Sequence, residues 1–343
     1  MIISNCRSNS GWGAYTDNLK YAVGKNVIVL NLFGSTNKGG CTDTPSLVPG
    51  ESYVKSVVAR AIPRFYFHKL ITNIESERSN GLVVHYAYNL LPLIGDRELD
   101  IVTIHDLIFM SKLYVNIAPI QSIYARLLLK GYLDYTNIIT VSDSVKQKLI
   151  LMGCESNIKV IHPAVLPHFS HIEVSQAEKR DLNLPSDKIL ILSPSNKMPW
   201  KNLEMVSKVM KKLGEKFQLI RVGPSIGTGT TFTNIDPMTL NTLYNASDLL
   251  LFPSLEEGFG YPLVEAMKTG LPAVVSDIDV FHEICADAAV YVDPTDVDSI
   301  TAGIFDALDR KEKLRNLGFR RSELFSLDAF KERIVSYYKH VTH

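Results

Sequence analysis

The chain is poor in cysteine, and the few it has are scattered. Cys6, Cys41, Cys154 and Cys285 are the four cysteines in 343 residues, and none falls in a C-x-x-C or similar ligand spacing. That excludes a disulfide framework and a thiolate metal site, and points to a reduced compartment. Charge of one sign is lacking too: 36 Lys plus Arg balance 36 Asp plus Glu. This argues against nucleic acid as a partner, because phosphate binding needs a concentrated basic face. No apolar run approaches the roughly 18 residues of a membrane span, and residues 1–6 are too short for the apolar core of a signal peptide. Repeats and low-complexity tracts are missing as well. What is present, 46% apolar and 21% charged residues, is a globular balance that excludes disorder as the main state. The length exceeds what one hydrophobic core usually organises, so two domains are expected. The composition describes a soluble, cytoplasmic protein, with peripheral contact at a membrane surface left open.

Short β-branched runs recur along the chain, at 26–32, 81–86, 101–104, 137–141 and 158–161, then at 188–193, 218–222, 248–252, 272–276 and 289–292. Stretches long enough for helices separate them. Continuous apolar strands alternating with helices signal parallel sheets covered on both faces. Two sets of five predict an α/β protein with two Rossmann-like, doubly wound domains. The break falls near 166–185, where a strand ends in His162-Pro163 and a charged stretch precedes the next one. Residues 34–50, rich in Gly, Ser, Thr and Pro, form a loop long enough to be functional. In open α/β sheets ligands bind beyond the carboxyl ends of the strands, so the residues just after each strand carry most weight.

The most informative stretch starts at 249. A buried strand ends in Pro253-Ser254, the loop Glu256-Glu257-Gly258-Phe259-Gly260-Tyr261 follows, and Pro262 suits the first turn of a helix. Strand, glycine loop and helix start present backbone N–H groups and the positive end of a helix dipole to an anion; the donors would be those of Gly258, Phe259, Gly260 and Leu263. Glu257 and Glu265 flank them, eight residues apart. Neither carboxylate suits a phosphate; both suit sugar hydroxyls, which donate to carboxylates with charge assistance. The structural alternative is that Glu265 merely occupies a first helical turn, where acids are common, and that Glu257 is a solvated loop residue.

The run from Pro253 to Met267 closely resembles the E-x7-E signature of retaining glycosyltransferases of the GT-B, GT4-type group (glycosyl transferases group 1). The continuation Gly270-Leu271-Pro272-Ala273-Val274-Val275-Ser276-Asp277, Glu283 and the segment 289–294 follow the same pattern. Ser10-Gly11-Trp12-Gly13-Ala14-Tyr15-Thr16 looks like the family's N-terminal glycine loop, Thr103-Ile104-His105-Asp106-Leu107 like its His-Asp strand end, and Pro199-Trp200-Lys201-Asn202-Leu203 like its lysine loop. Thr140-Val141-Ser142-Asp143-Ser144 and Asn245-Ala246-Ser247-Asp248 also fall in family order. The least familiar stretch is 34–80.

The resemblance implies the GT-B architecture, two Rossmann-like domains with an interdomain cleft: 1–168 for the acceptor, 169–325 for the nucleotide-sugar donor, and 326–343 as a helix crossing back. It implies that His105, Lys201 and Glu257 act in catalysis. Gly11, Gly13, Lys197, Lys201, Glu257, Gly258, Phe259, Gly260, Leu263 and Glu265 would bind the donor, Glu265 through the ribose and Glu257 through the transferred sugar. It implies no cofactor and no metal; the substrate is a nucleotide diphosphate sugar, GDP-mannose or UDP-glucose. The acceptor would be a glycan, a lipid-linked sugar or a protein hydroxyl. The departing diphosphate gathers charge in the transition state, where Lys201, Lys197 and preorganised N–H donors help most. Two carboxylates would also suit a glycosidase-like double displacement, but the family places both on the donor, and no nucleophile is named.

Departures qualify this. Where many relatives carry a Gly-Arg pair before the lysine, this chain has Ser195-Asn196, and Lys197 is a point charge rather than a bidentate clamp. Trp12 stands where a smaller residue is usual. Asp277-Ile278-Asp279 resembles a metal-binding DxD but falls in a Ser-Asp loop of the pattern. Gly11-x-Gly13 lacks the third glycine of a dinucleotide fingerprint. His85 is a weaker candidate than His105, and His162 and His282 read as structural. Residues 119–135 read as a helix packed on a sheet, with shallow membrane contact as the alternative. A non-catalytic nucleotide-sugar binding module and a GT-B epimerase are the alternative functions; a phosphorylase would carry a cofactor lysine in a longer chain.

Overall fold

A computed structural model describes residues 2–4, 11–23, 29–31, 84–87, 97–120, 122–123, 126 and 133–342. The chain divides into two compact units, one of Met1–Ser111, Val115–Ala164 and Leu327–His343, the other of Lys112–Tyr114 and Val165–Ser326. Residues 34–50 and most of 119–135 lie outside the described residues, so the loop and the helix expected there have no structural account.

In the first unit, β1 (Ile2–Ser4), β2 (Val29–Asn31), β3 (His85–Tyr86), β4 (Ile101–Ile104), β5 (Asn137–Thr140) and β6 (Asn157–Val160) form one parallel sheet in the order β2-β1-β3-β4-β5-β6. All four residues of β4 are buried, as a parallel strand covered on both faces requires. Helix α1 (Gly11–Val23) follows β1, and of the short helix α2 (Lys112–Ile117) after β4 only the last three residues belong to this unit. Ser142 caps α3 (Asp143–Leu151) by accepting from the Val145 N–H at 3.2 Å, and Val145 and Leu149, four apart, turn inward. The stretch read as a glycine loop is in part helix: Gly11 and Gly13 lie in the first turn of α1, where glycine is tolerated and Ala14 to Leu19 continue the helix. Ser10 lies outside the described residues.

The second unit holds α4 (Gln176–Asp181), β7 (Ile189–Pro194), α5 (Leu203–Leu213), β8 (Phe217–Val222), β9 (Thr230–Phe232), α6 (Pro237–Ala246), β10 (Leu249–Phe252), α7 (Tyr261–Thr269), β11 (Ala273–Ser276), α8 (Asp279–Cys285), β12 (Val290–Val292), α9 (Val297–Asp309) and α10 (Lys311–Ser322). Its parallel sheet runs β12-β11-β10-β7-β8-β9. The strand order reverses between β7 and β10, which pair directly through Leu249 with Ile191 and Leu250 with Leu192. That reversal opens a crevice beyond the carboxyl ends of these two strands, the usual ligand seat of a doubly wound sheet. Helix α5 buries Leu203, Val206, Val209 and Met210, a helical stripe, against Ile191, Leu219 and Leu251 of the sheet and Ile300 and Ile304 of α9. Helix α11 (Leu327–Thr342) returns to the first unit and packs on α1. Among the described residues each sheet has six strands rather than the five expected; β1 and β9, three residues each, are the additions.

Candidate active site

The loop after β7 is built to hold a lysine at the sheet reversal. Pro199–Lys201 form a single 3-10 turn, Trp200 is buried beneath it, and Asn202 follows in the left-handed region at φ 55°. That conformation is tolerated by asparagine better than by most residues. The Asn202 side-chain amide donates to the Pro253 carbonyl at 3.1 Å and the Pro294 carbonyl at 2.7 Å, tying the loop to those after β10 and β12. The Leu255 N–H donates to the Trp200 carbonyl at 2.7 Å. These ties bring together two residues the sequence places 56 apart: Lys201 Nζ forms an ion pair with Glu257 Oε1, their side chains 15% and 10% exposed. Lys201 also lies 5.4 Å from the centre of the Phe252 ring. The two are thus each other's partner across the ends of β7 and β10. Lys197 is exposed, in the stretch between β7 and the 3-10 turn.

The loop after β10 leads into α7 through Gly260, at φ 96° and ψ 63°. A side chain there would be strained and would crowd Leu263 Cδ1 at 3.1 Å. Gly258, Phe259 and Gly260 are buried. The Leu263 N–H differs from the expectation: it donates to the Gly260 carbonyl at 2.9 Å, closing the turn at the helix start, so it is already committed.

Glu265, in α7, is partly buried and accepts from the Tyr244 hydroxyl at 2.6 Å. Burial pushes its carboxyl up to about 7, against the lowering effect of the Tyr244 hydrogen bond. Tyr244 lies in α6 with no exposed surface, and burial, reinforced by the neighbouring Glu265, holds the phenol well above its usual range. The sequence assigns Tyr244 no part in the site and includes Asn202 only as a member of the lysine loop. The available signals were a tyrosine on the buried face of a helix, whose hydroxyl must find a partner, and an asparagine directly after the lysine.

In the first unit, His105 follows β4 and is 5% exposed. Its Nε2 lies 3.0 Å from the Ala87 carbonyl. A carbonyl only accepts, so Nε2 carries the proton. Burial lowers the imidazole to about 4, which makes the ring neutral at pH 7. Tyr15 of α1 packs edge-on against it, 4.8 Å between ring centres. Asp106 caps the following turn, accepting from the Ile108 N–H at 3.1 Å. His85 is locked in a buried relay: Nδ1 is 2.6 Å from the Tyr338 hydroxyl, Nε2 is 2.6 Å from the Thr103 hydroxyl, and the Tyr15 hydroxyl is 3.0 Å from Thr103. Burial lowers His85 to about 3, so it too is neutral. The His282 ring lies 2.5 Å from an Asp277 oxygen and stacks on Tyr291. Among the described residues no cluster of three or more His, Cys, Asp or Glu could hold a metal, and no helix is long and apolar enough to cross a membrane.

Residues 174–321 match the family Glycosyl transferases group 1. The O-antigen chain mannosyltransferase RfbU of Salmonella typhimurium is 28% identical over 310 residues, covering 84% of this chain and 77% of its own. Sucrose-phosphate synthase from Thermosynechococcus elongatus aligns over 99% of this chain and 98% of its own, with a TM-score of 0.74 at 18% identity. Anabaena HepE, solved in complex with UDP and glucose, aligns over 98% of both chains with a TM-score of 0.74 at 12% identity. Two parallel α/β sheets with this likeness over the full length define a GT-B fold, and the family match with the likeness to RfbU makes the chain a glycosyltransferase. The family match falls on the second unit, whose residues 174–321 carry the glycosyl transferases group 1, or GT4, sequence pattern.

Proposed function

We propose that the chain is a retaining hexosyltransferase that takes mannose from GDP-mannose, with glucose from UDP-glucose as the second candidate, and delivers it to a hydroxyl of a growing glycan. The observation that carries the reading is the Lys201–Glu257 pair at the carboxyl ends of β7 and β10, with Glu265 held by Tyr244 in the same unit. Mannose is put first because RfbU, similar over most of the chain, is a mannosyltransferase of the O-antigen chain. A glycan acceptor is drawn from the same source; a lipid-linked sugar or a protein hydroxyl would meet the same chemistry. In this proposal the second unit is the donor unit, and the first, which carries His105, is the acceptor unit.

In this reading Lys201 exchanges Glu257 for the donor's diphosphate, and its charge counters the charge that builds as the bond from sugar C1 to phosphate oxygen breaks. Lys197 adds a second, solvated charge. Glu257, released, accepts from hydroxyls of the transferred sugar, and Glu265 accepts from those of the ribose. The acceptor oxygen bonds to C1 from the face the phosphate leaves, and its proton passes to the departing phosphate oxygen, so nucleoside diphosphate is the second product. His105, neutral, acts as a hydrogen-bonding group on the sugar rather than as a cation.

The test is release of nucleoside diphosphate from GDP-mannose and UDP-glucose in the presence of glycan acceptors, with the anomeric configuration of the product read by NMR. The reading expects turnover with one donor, an α-linked product, and loss of turnover in Lys201→Ala and Glu257→Ala. Donor binding without turnover would favour a non-catalytic module; inversion at C1 would remove the retaining mechanism.

A further inference from the structure

One charged side chain in the second unit has no role in this chemistry. Arg221 lies in β8, in an otherwise apolar run Leu219-Ile220-Arg221-Val222, and has no exposed surface. Its strand pairs with β7 in register, Arg221 opposite Ser193 and Val222 opposite Pro194. Nη1 donates to the Ser193 carbonyl and, at 2.7 Å, to the Val222 carbonyl; Nη2 donates to the Ser195 carbonyl. The guanidinium therefore spans the carboxyl ends of both strands, at the rim from which the loop to Lys201 departs. Gly223 makes room for this: at φ 126°, a Cβ there would stand 2.1 Å from the Ser195 oxygen and 3.0 Å from Nη2.

Among the described residues no side chain neutralises the charge: no carboxylate pairs with Arg221, and its Nε, also buried, has no partner. Burial lowers the guanidinium only to about 10, so it stays cationic at neutral pH. A buried cation without a counter-ion is costly, and carbonyl dipoles offset that cost only in part. Packing alone would be met by an apolar side chain of similar length.

We propose that Arg221 is a positioning residue of the donor site, whose unpaired charge finds its counter-ion in the diphosphate of the bound ligand and whose fork fixes the rim carrying Lys201. The inference rests on the donor-site reading above. Arg221 does not touch the ligand; it acts through the Ser195 carbonyl, the loop it anchors, and its field.

Calorimetric titration of the full chain with GDP, UDP and their monophosphates, at two salt concentrations, tests this in wild type, Arg221→Met and Arg221→Lys. Expected in Arg221→Met is a loss on the order of 10-fold in affinity for the diphosphate that wild type prefers, a loss under about 3-fold for its monophosphate, and a shallower salt dependence. Arg221→Lys should recover part of the diphosphate affinity, because it keeps the charge and loses the fork. A structural role alone would lower affinity for both nucleotides equally, together with the melting temperature, and would overturn the inference. So would unchanged diphosphate binding in Arg221→Met, or, if that variant does not fold, equal losses for both nucleotides in Arg221→Lys. Wild type that binds no diphosphate would instead overturn the donor-site reading, and the inference with it.

Discussion

The Tyr244–Glu265 contact makes the nucleotide affinity of the proposed site depend on pH in a calculable way. Glu265 titrates near 7 because its carboxyl is buried, and the 2.6 Å hydrogen bond from Tyr244 is what keeps it from rising further. Ribose hydroxyls donate best to the ionised carboxylate, so affinity for GDP should climb as pH rises through about 7 and level off above it. Tyr244→Phe removes the hydrogen bond; losing a bond to a charged group worth on the order of 1.4 kcal/mol raises the carboxyl by about one unit. At pH 7 the ionised fraction then falls from about one half to about one tenth, which is about 5-fold in affinity, and the two proteins converge near pH 9. Calorimetry between pH 5.5 and about 9 reads both curves. The reasoning fails if wild-type affinity is flat across that range, or if the Phe variant loses affinity equally at every pH. Stability should run the other way. The folded-state pKa is raised, so the unfolded chain releases the Glu265 proton first, and the group costs the fold increasingly as pH rises from about 4.5 to 7. The cost is bounded by about 3 kcal/mol and reduced by screening, since Glu265 is only partly buried. Glu265→Gln should therefore melt higher than wild type at pH 8, melt like it at pH 4.5, and bind nucleotide weakly at both.

Three further outcomes follow from the same geometry. Lys201→Ala and Glu257→Ala should each cut kcat/KM by about 100-fold or more, and the double variant should lose less than the product of the two, because each single change leaves a sparsely exposed charge without its partner; strict additivity would contradict the pairing. Asn202→Ala removes the hydrogen bonds to Pro253 and Pro294; it should lower stability by about 1–3 kcal/mol and weaken GDP binding, as denaturant titration and calorimetry would show. His105→Ala should leave GDP affinity within about 2-fold and reduce turnover by the same factor at every pH between about 5.5 and 8, because the wild-type histidine titrates near 4 rather than in that window.

Most of the fold was legible because its strands are continuous apolar runs buried on both faces, such as Leu249–Phe252 and Ile101–Ile104. The strands that escaped lacked that signal. β9 is a three-residue edge strand with two threonines and no fully buried residue, and β1 has three residues at the start of the chain. In the second unit, Lys201, Glu257 and Glu265 stand out in the sequence because each sits just after a strand or within a helix following one. What joins them did not stand out. The Lys201–Glu257 pair, the Tyr244 hydroxyl on Glu265 and the Asn202 amide on Pro294 span 56, 21 and 92 residues. Contacts at such separations are set by strand order, and the reversal between β7 and β10 is what brings them together. Gly11 and Gly13 were placed in a loop by likeness to a glycine-rich family motif, whereas the chain runs through both as the first turn of a helix. Arg221 was overlooked among apolar neighbours, although a lone charge inside a strand is itself the anomaly.

The central claim, a nucleotide-sugar donor site built on Lys201, Glu257 and Glu265, is tested most directly by calorimetric titration of the purified chain with GDP, UDP, ADP and dTDP, each with and without EDTA. The account predicts saturable binding of one of them, GDP first, unaffected by EDTA and lost in Glu265→Ala. Absence of binding by all four, or binding that Glu265→Ala leaves intact, would contradict it while leaving the two-sheet fold in place.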